Sequence, residues 1–328
     1  MVKQQANDGL FPMEVRLEDA PCPLGCENED EFLFTGHDLL HGLPGEYALV
    51  RCKSCGLTRT NPRPTADTMG YYYPDNYGPY TGTIIKNVLP AKRRAPLLRR
   101  FVRKILELNM QRLPDMKPGS MLEIGCASGA FLQHMNNLGW KVAGIEFSPA
   151  AAENASAAGF DVHAGSLEDA PEPQNNYDLV VGWMVLEHLH KPVLALQKLN
   201  HWTQPGASLV LSVPNAGSAD FHWFRQYNYA LHLPNHLYHY TPDTVEKILR
   251  AGGWKLEKVH HQRLMSNWFG GLGQLLYFQG HDNRLVSWLR SYPRKAGKLH
   301  YLFFPLAVLL AAFGQTGRMT VWARRIDD

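Results

Sequence analysis

From residue 118 to about 263 the chain alternates between short apolar runs and segments whose apolar residues recur every three or four positions. The runs are 121–125 (MLEIG), 141–145 (KVAGI), 160–164, 177–183 (YDLVVGW) and 207–213 (ASLVLSV). Their alternation with amphipathic segments predicts strand–helix units and a parallel sheet. The helix ends are legible. Ser148-Pro149 supplies an N-cap and a first-turn proline, with Gly159 as terminator. Thr241-Pro242 opens another helix, with Val245, Ile248 and Leu249 on one face and Gly252-Gly253 at its end. Phe131, Leu132, Met135 and Leu138 form the stripe of a third, closed by Gly139. Two later runs, 254–260 and 319–323, bring the strands to seven, with an insertion between them. The expectation is an α/β fold with a doubly wound seven-stranded sheet, its core in 118–265, and the apolar insertion and last strand in 266–328. Residues 1–80 differ in kind: they are rich in turn formers and cysteine and end in YYYPDNYGPY. Residues 81–117 form a basic, amphipathic helical linker or lid. No internal repeat is visible.

Composition narrows this picture. A chain of 328 residues that is 45% hydrophobic and 11% aromatic has material for a buried core and is not disordered. The balance of 33 Lys+Arg against 30 Asp+Glu gives no global argument for a nucleic-acid partner. The first residues, MVKQQANDGLFPMEV, lack the apolar stretch of a secretory signal. The run LHYLFFPLAVLLAAF at 299–313 is shorter than the roughly 20 residues of a bilayer span and contains Pro305. A transmembrane helix is not expected there.

Four of the five cysteines fall in two knuckles, Cys22-Pro23-Leu24-Gly25-Cys26 and Cys52-Lys53-Ser54-Cys55-Gly56. Thiolates at C-x3-C and C-x2-C spacing can converge tetrahedrally on zinc, and a closed set of four leaves no open position. A structural Zn2+ in a small N-terminal ribbon is expected, with His37 and His41 as fallback ligands only. This cysteine usage suits a reducing, cytoplasmic compartment. Cys126 stands alone, with no neighbour in sequence to lower its pKa, and reads as a small space-filler.

The first core strand runs into Glu123-Ile124-Gly125-Cys126-Ala127-Ser128-Gly129 and then directly into a helix. Glycines there let backbone approach a ligand. Ala127 occupies the second glycine of the dinucleotide fingerprint, which disfavours a pyrophosphate. The second strand ends in Glu146, a carboxylate placed to accept hydrogen bonds from ribose hydroxyls.

This E-x-G-x-x-x-G turn with an acidic strand end resembles the class I S-adenosylmethionine-dependent methyltransferases, and the resemblance extends over 118–263 through YDLVVGWMVLEHL and QPGASLVLSVPN. It implies a Rossmann-like sheet with S-adenosyl-L-methionine as cofactor. Glu123, Gly125, Cys126 and Gly129 would belong to the cofactor turn, Glu146 with Phe147 beside it would hold the ribose, and Ser166 and Leu167 would meet the adenine. Many relatives carry Asp at the position of Ser166, so a backbone group would make that contact here. Trp183 and Met184 would lie beside the sulfonium, where an aromatic face attracts a cation by about 0.5–2 kcal/mol.

For the acceptor, the stretch Leu231–Thr241 places three histidines within eight residues, after the fifth-strand tip Val213-Pro214-Asn215. His236-Leu237-x-x-Tyr240-Thr241 resembles the H-L-x-[YH]-[FY]-[ST] stretch of sugar C-methyltransferases, which implies His236 as base, with His232 a second candidate. Those enzymes carry Tyr and Glu where Leu233 and Asn235 stand here, a departure from sugar C-methylation chemistry. His239 and Tyr240 are further pocket candidates. Glu187-His188 resembles part of the E-x-x-E-H of quinone O-methyltransferases, which is proposed to hold a divalent cation. Met184 replaces its first Glu, so Glu187 and His188 are expected to shape the acceptor pocket. Tyr72, Tyr73 and Tyr77 belong to a tyrosine run that, by the same resemblance, reaches over the acceptor. The large C-terminal domain of the sugar enzymes has no counterpart.

Lys92, Arg93, Arg94, Arg99, Arg100, Arg103 and Lys104 accompany an apolar stripe from Leu97 to Leu108, and Arg294, Lys295, Lys298 and Arg318 flank 299–313. Both segments could lie on an anionic membrane surface as a peripheral contact. The expected activity is methylation, on oxygen or carbon, of a small-molecule, sugar or lipid-linked acceptor. The rivals are an RNA methyltransferase, disfavoured by the near-neutral charge and by Val213-Pro214-Asn215-Ala216 in place of an N-P-P-Y-type loop, and a non-catalytic scaffold that binds partners through the ribbon.

Overall fold

The computed structural model describes residues 11–27, 29–73, 111–295 and 300–326. The N-terminal part contributes β1 (Leu17–Glu18), β2 (Asp30–Gly36), β3 (Tyr47–Cys52), β4 (Thr58–Thr60) and β5 (Arg63–Pro64). The core begins with β6 (Ser120–Ile124), α1 (Ala130–Asn136), β7 (Lys141–Glu146), α2 (Pro149–Ala157), β8 (Asp161–Ala164) and β9 (Tyr177–Trp183). It continues through α3 (Pro192–His201), β10 (Thr203–Pro214), α4 (Ala219–Phe224), β11 (Tyr238–His239), α5 (Pro242–Ala251) and β12 (Trp254–His261). The insertion is α6 (Ser266–Phe278), α7 (Arg284–Lys295) and α8 (His300–Ala312), and β13 (Arg318–Arg325) ends the described chain.

All seven expected core strands are present, in the order β12-β13-β10-β9-β6-β7-β8. The pairs β10–β9, β9–β6, β6–β7 and β7–β8 are parallel, whereas β13 runs antiparallel to both β10 and β12. Successive residues face opposite sides of a strand, and this splits the core in two. Met121, Leu179, Val181 and Val210 pack with Phe131, Leu132, Met135 and Trp140 on one side. Leu122, Val180, Leu209, Leu211 and Val213 face the other side with Val245, Ile248 and Leu249 of α5. Burying each such aliphatic side chain stabilises the fold by about 1.5–3 kcal/mol.

The expected caps form. Ser148 Oγ accepts the Ala151 N–H at 3.4 Å. At α5 the caps are reciprocal: Thr241 Oγ1 accepts the Thr244 N–H at 3.2 Å, and Thr244 Oγ1 accepts the Thr241 N–H at 2.8 Å. Because the chain turns back at β6, whose neighbours are β7 on one side and β9 on the other, a crevice opens at the carboxyl ends of these strands.

The N-terminal strands are joined to this core. The two residues of β11, from the histidine-bearing loop, pair antiparallel with β4, so the small sheet has the order β11-β4-β3-β2. Tyr47, Leu49, Leu57 and three of the paired cysteines belong to the same apolar cluster as Leu211 and Ile248. The buried Arg59 holds Asp30 through Nη1 at 2.9 Å and Nη2 at 2.6 Å. The basic segment expected at 92–108 and Tyr77 lie outside the described residues.

Candidate active site

The glycine turn and the next strand end are tied by one carboxylate. Glu146, the last residue of β7, accepts the Ala127 N–H at 2.7 Å and the Ser148 N–H at 2.8 Å. Gly125 at φ +69° and Gly129 at φ +80° are both left-handed, and a Cβ on Gly125 would approach Val185 to 2.7 Å. Ala127 (φ +47°), Met184 (φ +61°) and His232 (φ +42°) also sit in the left-handed region, at about 1–3 kcal/mol each. Such strain persists where the surroundings over-determine it, and all three lie around the crevice.

Burial pushes the Glu146 carboxyl up, opposed by the N–H groups of Ser148, Ala127 and Phe147. Glu123, buried at the end of β6, is raised well above the carboxylate range by burial and then by the charge of Glu146. Cys126 packs under Gly144, where a Cβ would meet its Sγ at 2.6 Å, and burial raises its thiol. Ser166 donates to Asp169 Oδ2 at 2.7 Å and accepts the Asp169 N–H at 3.1 Å, so its hydroxyl closes a local turn. Leu167 is buried in the core, while Phe147 is 54% exposed. Trp183 packs edge-on against Phe131 at 5.2 Å, and its buried Nε1 has no hydrogen-bond partner among the described residues. The Met184 N–H donates to the Ser212 carbonyl at 2.8 Å.

Four segments build the second half of the crevice. Tyr73 stands between the halves: its ring lies 6.1 Å from Phe147 and 6.1 Å from His188, and its Oη is 2.8 Å from His188 Nδ1. His188 Nδ1 is also 2.9 Å from the Asn235 carbonyl, which can only accept; Nδ1 therefore carries the proton and Nε2 the lone pair. The same argument applies to His236, whose Nδ1 is 2.8 Å from the Ala230 carbonyl. Its Nε2 lies 3.9 Å from Glu187 Oε1, too far for a hydrogen bond. The rings of His188, His232 and His236 are 4.7–6.2 Å apart, with His41 6.2 Å from His232.

Charge is costly here. Burial raises Glu187 to about 8, partly offset by a backbone N–H and by Arg318, and holds His188 at about 4. Burial, then the charges of His188, His41 and Arg294, holds His232 well below the imidazole range. His236 is lowered by burial and then by His188, His232 and His239. The ligand atoms of Glu187, His188 and His236 lie within 4.8 Å of one another, so a carboxyl and two imidazoles can share a proton or a cation.

His239 faces the ribbon: its Nε2 is 3.3 Å from Thr60 Oγ1, and burial lowers it to about 3. Tyr240 donates to the Leu186 carbonyl at 3.4 Å, and Tyr72 donates to the Pro44 carbonyl at 3.0 Å. His41, a fallback zinc ligand by sequence, has joined the histidine cluster, and its separation of 191 positions from His232 in the chain hid this. Asn235, noted in sequence only as a departure from a motif, donates through Nδ2 to the Tyr72 carbonyl at 2.7 Å and positions the tyrosine segment.

The four knuckle cysteines converge. Their Sγ atoms lie within 4.8 Å of one another, with Cys22 and Cys55 at 3.6 Å. Tetrahedral zinc with Zn–S of about 2.3 Å requires S···S near 3.8 Å, so the donor set fits that ion.

The chain is similar in sequence to known proteins. A family model described as a methyltransferase domain matches residues 93–259. The ubiquinone biosynthesis O-methyltransferase of Xanthomonas oryzae pv. oryzae is 29% identical over 114 residues, covering 33% of this chain and 48% of the relative. That of Xanthomonas euvesicatoria pv. vesicatoria is 29% identical over 159 residues, covering 44% of this chain and 66% of the relative. The chain thus spans about half the length of the first of these relatives. Among solved structures, an S-adenosylmethionine-dependent methyltransferase from Mesorhizobium loti superposes with a TM-score of 0.43 at 17% identity, over 65% of this chain and 94% of that one. The Haemonchus contortus phospholethanolamine N-methyltransferase 2, in complex with phosphomonomethylethanolamine and S-adenosylhomocysteine, gives 0.44 at 15% identity, over 69% and 53%. With the family model spanning half of its length, the chain belongs to the methyltransferase-domain family.

Proposed function

We propose that the protein transfers a methyl group from S-adenosylmethionine to a small-molecule, sugar or lipid-linked acceptor, on oxygen or on an acidic carbon, in a cytoplasmic setting. One observation carries this reading: Tyr73 spans from Phe147, beside the Glu146 carboxylate, to His188 in the imidazole cluster. A donor cradle and a set of bases therefore share one crevice.

The residues present suit the cofactor. Glu146 is pinned by two N–H groups that leave lone pairs for the two ribose hydroxyls, and the turn beside it is held in a left-handed form at Gly125 and Gly129, where a Cβ would meet Val185 or Ala155 and Phe160. When bound, S-adenosylmethionine supplies a methyl group activated by a sulfonium. The protein aligns the acceptor and takes its proton. His236 is the proposed base, since its Nδ1–H is fixed on Ala230 and its Nε2 keeps the lone pair. The buried, neutral surroundings of Glu187, His188 and His232 favour an acceptor that arrives uncharged at its reacting atom. An O–H acceptor is supported by the names of the Xanthomonas relatives. In the ribbon, Cys22, Cys26, Cys52 and Cys55 would hold a structural zinc that fixes β4 and, through it, the β11 end of the histidine loop.

Calorimetry with S-adenosylmethionine tests the first half. Micromolar binding by the parent, weakened at least about tenfold by Glu146→Ala, is the expected result. No binding by the parent would leave the scaffold reading standing. Acceptor turnover, followed as S-adenosylhomocysteine released with phenols, sugar nucleotides and RNA, tests the second. RNA affinity that falls steeply with salt would move the assignment to RNA.

A further inference from the structure

We propose that α8, with the basic end of α7, docks the protein on the surface of an anionic lipid bilayer. The outward face of α8 carries Tyr301, Leu302, Leu306, Leu309 and Phe313, which are 50%, 70%, 46%, 56% and 71% exposed. Positions 302, 306, 309 and 313 follow one stripe at helical spacing. The opposite face is apolar as well: Phe304 and Ala307 are buried, and Phe303 and Leu310 pack near Trp268, Phe269, Trp288 and Tyr292. A helix on a water-facing surface places polar residues outward; this one has none between His300 and Ala312.

The charge around the stripe has one sign. From Arg284 to Arg318 the chain has six basic residues and no Asp or Glu, whereas Arg324, at the far end of β13, pairs with Glu257. Arg284, Arg294 and Lys295 of α7 are exposed. An apolar stripe flanked in the chain by exposed cations complements a surface of acyl chains under anionic headgroups. With 13 residues α8 is about 20 Å long, against about 30 Å of hydrocarbon. No single helix among the described residues is long and apolar enough to cross a membrane. Taken with α7, α8 forms a pair bent by 79° that is long and apolar enough only when the two are counted together, and the length of α8 itself fits lying in the interface.

The position of the helix gives the contact a purpose. Just beyond α8, the Gly314 and Thr316 carbonyls each accept from Asn215 Nδ2 at 3.0 Å. Asn215 follows β10 at the carboxyl end of the sheet, and the next residue, Ala216, donates its N–H to the Tyr240 carbonyl at 2.7 Å. The apolar helix is thus anchored through two residues to the loop that carries His236. A bilayer held there would present an amphiphilic acceptor at the crevice, which deepens the lipid-linked option of the methyl-transfer reading.

Co-sedimentation of the full chain with phosphatidylcholine vesicles, with and without about a third of phosphatidylglycerol, tests the proposal. Binding to the anionic vesicles only, reversed by about 0.5 M salt, is expected of the parent. The exposed triple variant Leu302→Glu, Leu306→Glu, Leu309→Glu, and separately Arg284→Glu with Lys295→Glu, should each weaken binding about tenfold or more. Both should bind S-adenosylmethionine as the parent does, so a failure of docking is read apart from a failure of the cofactor assignment. The proposal is overturned by no binding, by binding that survives both variants and so resides in 92–104, or by a parent dimer that the triple variant converts to monomer, which would make a second copy the occupant.

Discussion

The two walls of the crevice are made differently. On the donor side, Glu123, Gly125, Ala127, Gly129 and Glu146 lie within 24 consecutive positions, and their geometry follows from strand, turn and strand. On the acceptor side, Tyr73, Glu187, His188, His232 and His236 come from chain positions spread over more than 160 residues, and nothing local brings them together. In the proposed reading, a donor shared by a whole family would be held by a motif, whereas a specific acceptor would be held by tertiary contacts that can change without disturbing that motif. A variant should therefore damage one wall and spare the other.

The largest effect is expected at the proposed zinc site, which would support the acceptor wall through β4 and β11. Cys52→Ala should abolish zinc retention and unfold the ribbon, because apparent zinc-binding energies of about 10–16 kcal/mol are folding energy in such sites. Metal analysis with thermal unfolding checks this; an unchanged melting temperature would separate the ribbon from the core. Next is His236→Ala, expected to lower kcat by about 10²–10⁴-fold with S-adenosylmethionine affinity unchanged. Equal losses in both would move His236 from base to structural support. Gly125→Ala strikes the opposite wall. Its left-handed φ and the approach to Val185 should cost about 1–3 kcal/mol and weaken cofactor binding before acceptor binding.

A pH series separates the buried carboxyl of the acceptor wall from its imidazoles and that of His239 by sign. Glu187 is raised to about 8, so the folded state keeps a proton that the unfolded chain releases near 4.5, and stability falls as pH rises toward 8. His188 and His239, lowered to about 4 and about 3, act oppositely: stability is lost as pH falls from 6.5 through those values. Melting temperature should peak near neutrality, and Glu187→Gln should flatten the alkaline limb and steepen the acid limb between about pH 4.5 and 6.5. A limb unchanged by that substitution would assign it to another group. Smallest of all, Thr241→Ala removes the cap of α5 and should cost about 1 kcal/mol with no change in kcat.

The core strands, the caps at Ser148 and Thr241 and the cysteine convergence could be read directly from residue order. Periodicity, capping and ligand spacing act over a few positions, so local chemistry suffices to specify them. The same holds for the glycine turn and Glu146, whose bonds to Ala127 and Ser148 the strand ends almost dictate. Other features depended on the three-dimensional fold alone. Pairing of β11 with β4 turned a ribbon and a histidine loop into one sheet, with the buried Arg59 of β4 opposite Tyr238 and holding Asp30 of β2. Ring-nitrogen roles in His188 and His236 came from carbonyls at Asn235 and Ala230, which no motif announces. His41 met His232, and α8 kept an apolar face outward, because packing decides which of two similar surfaces is covered. Short-range forces are written in the order of the residues; contacts between distant segments exist only once burial has chosen among many that the same residues could make.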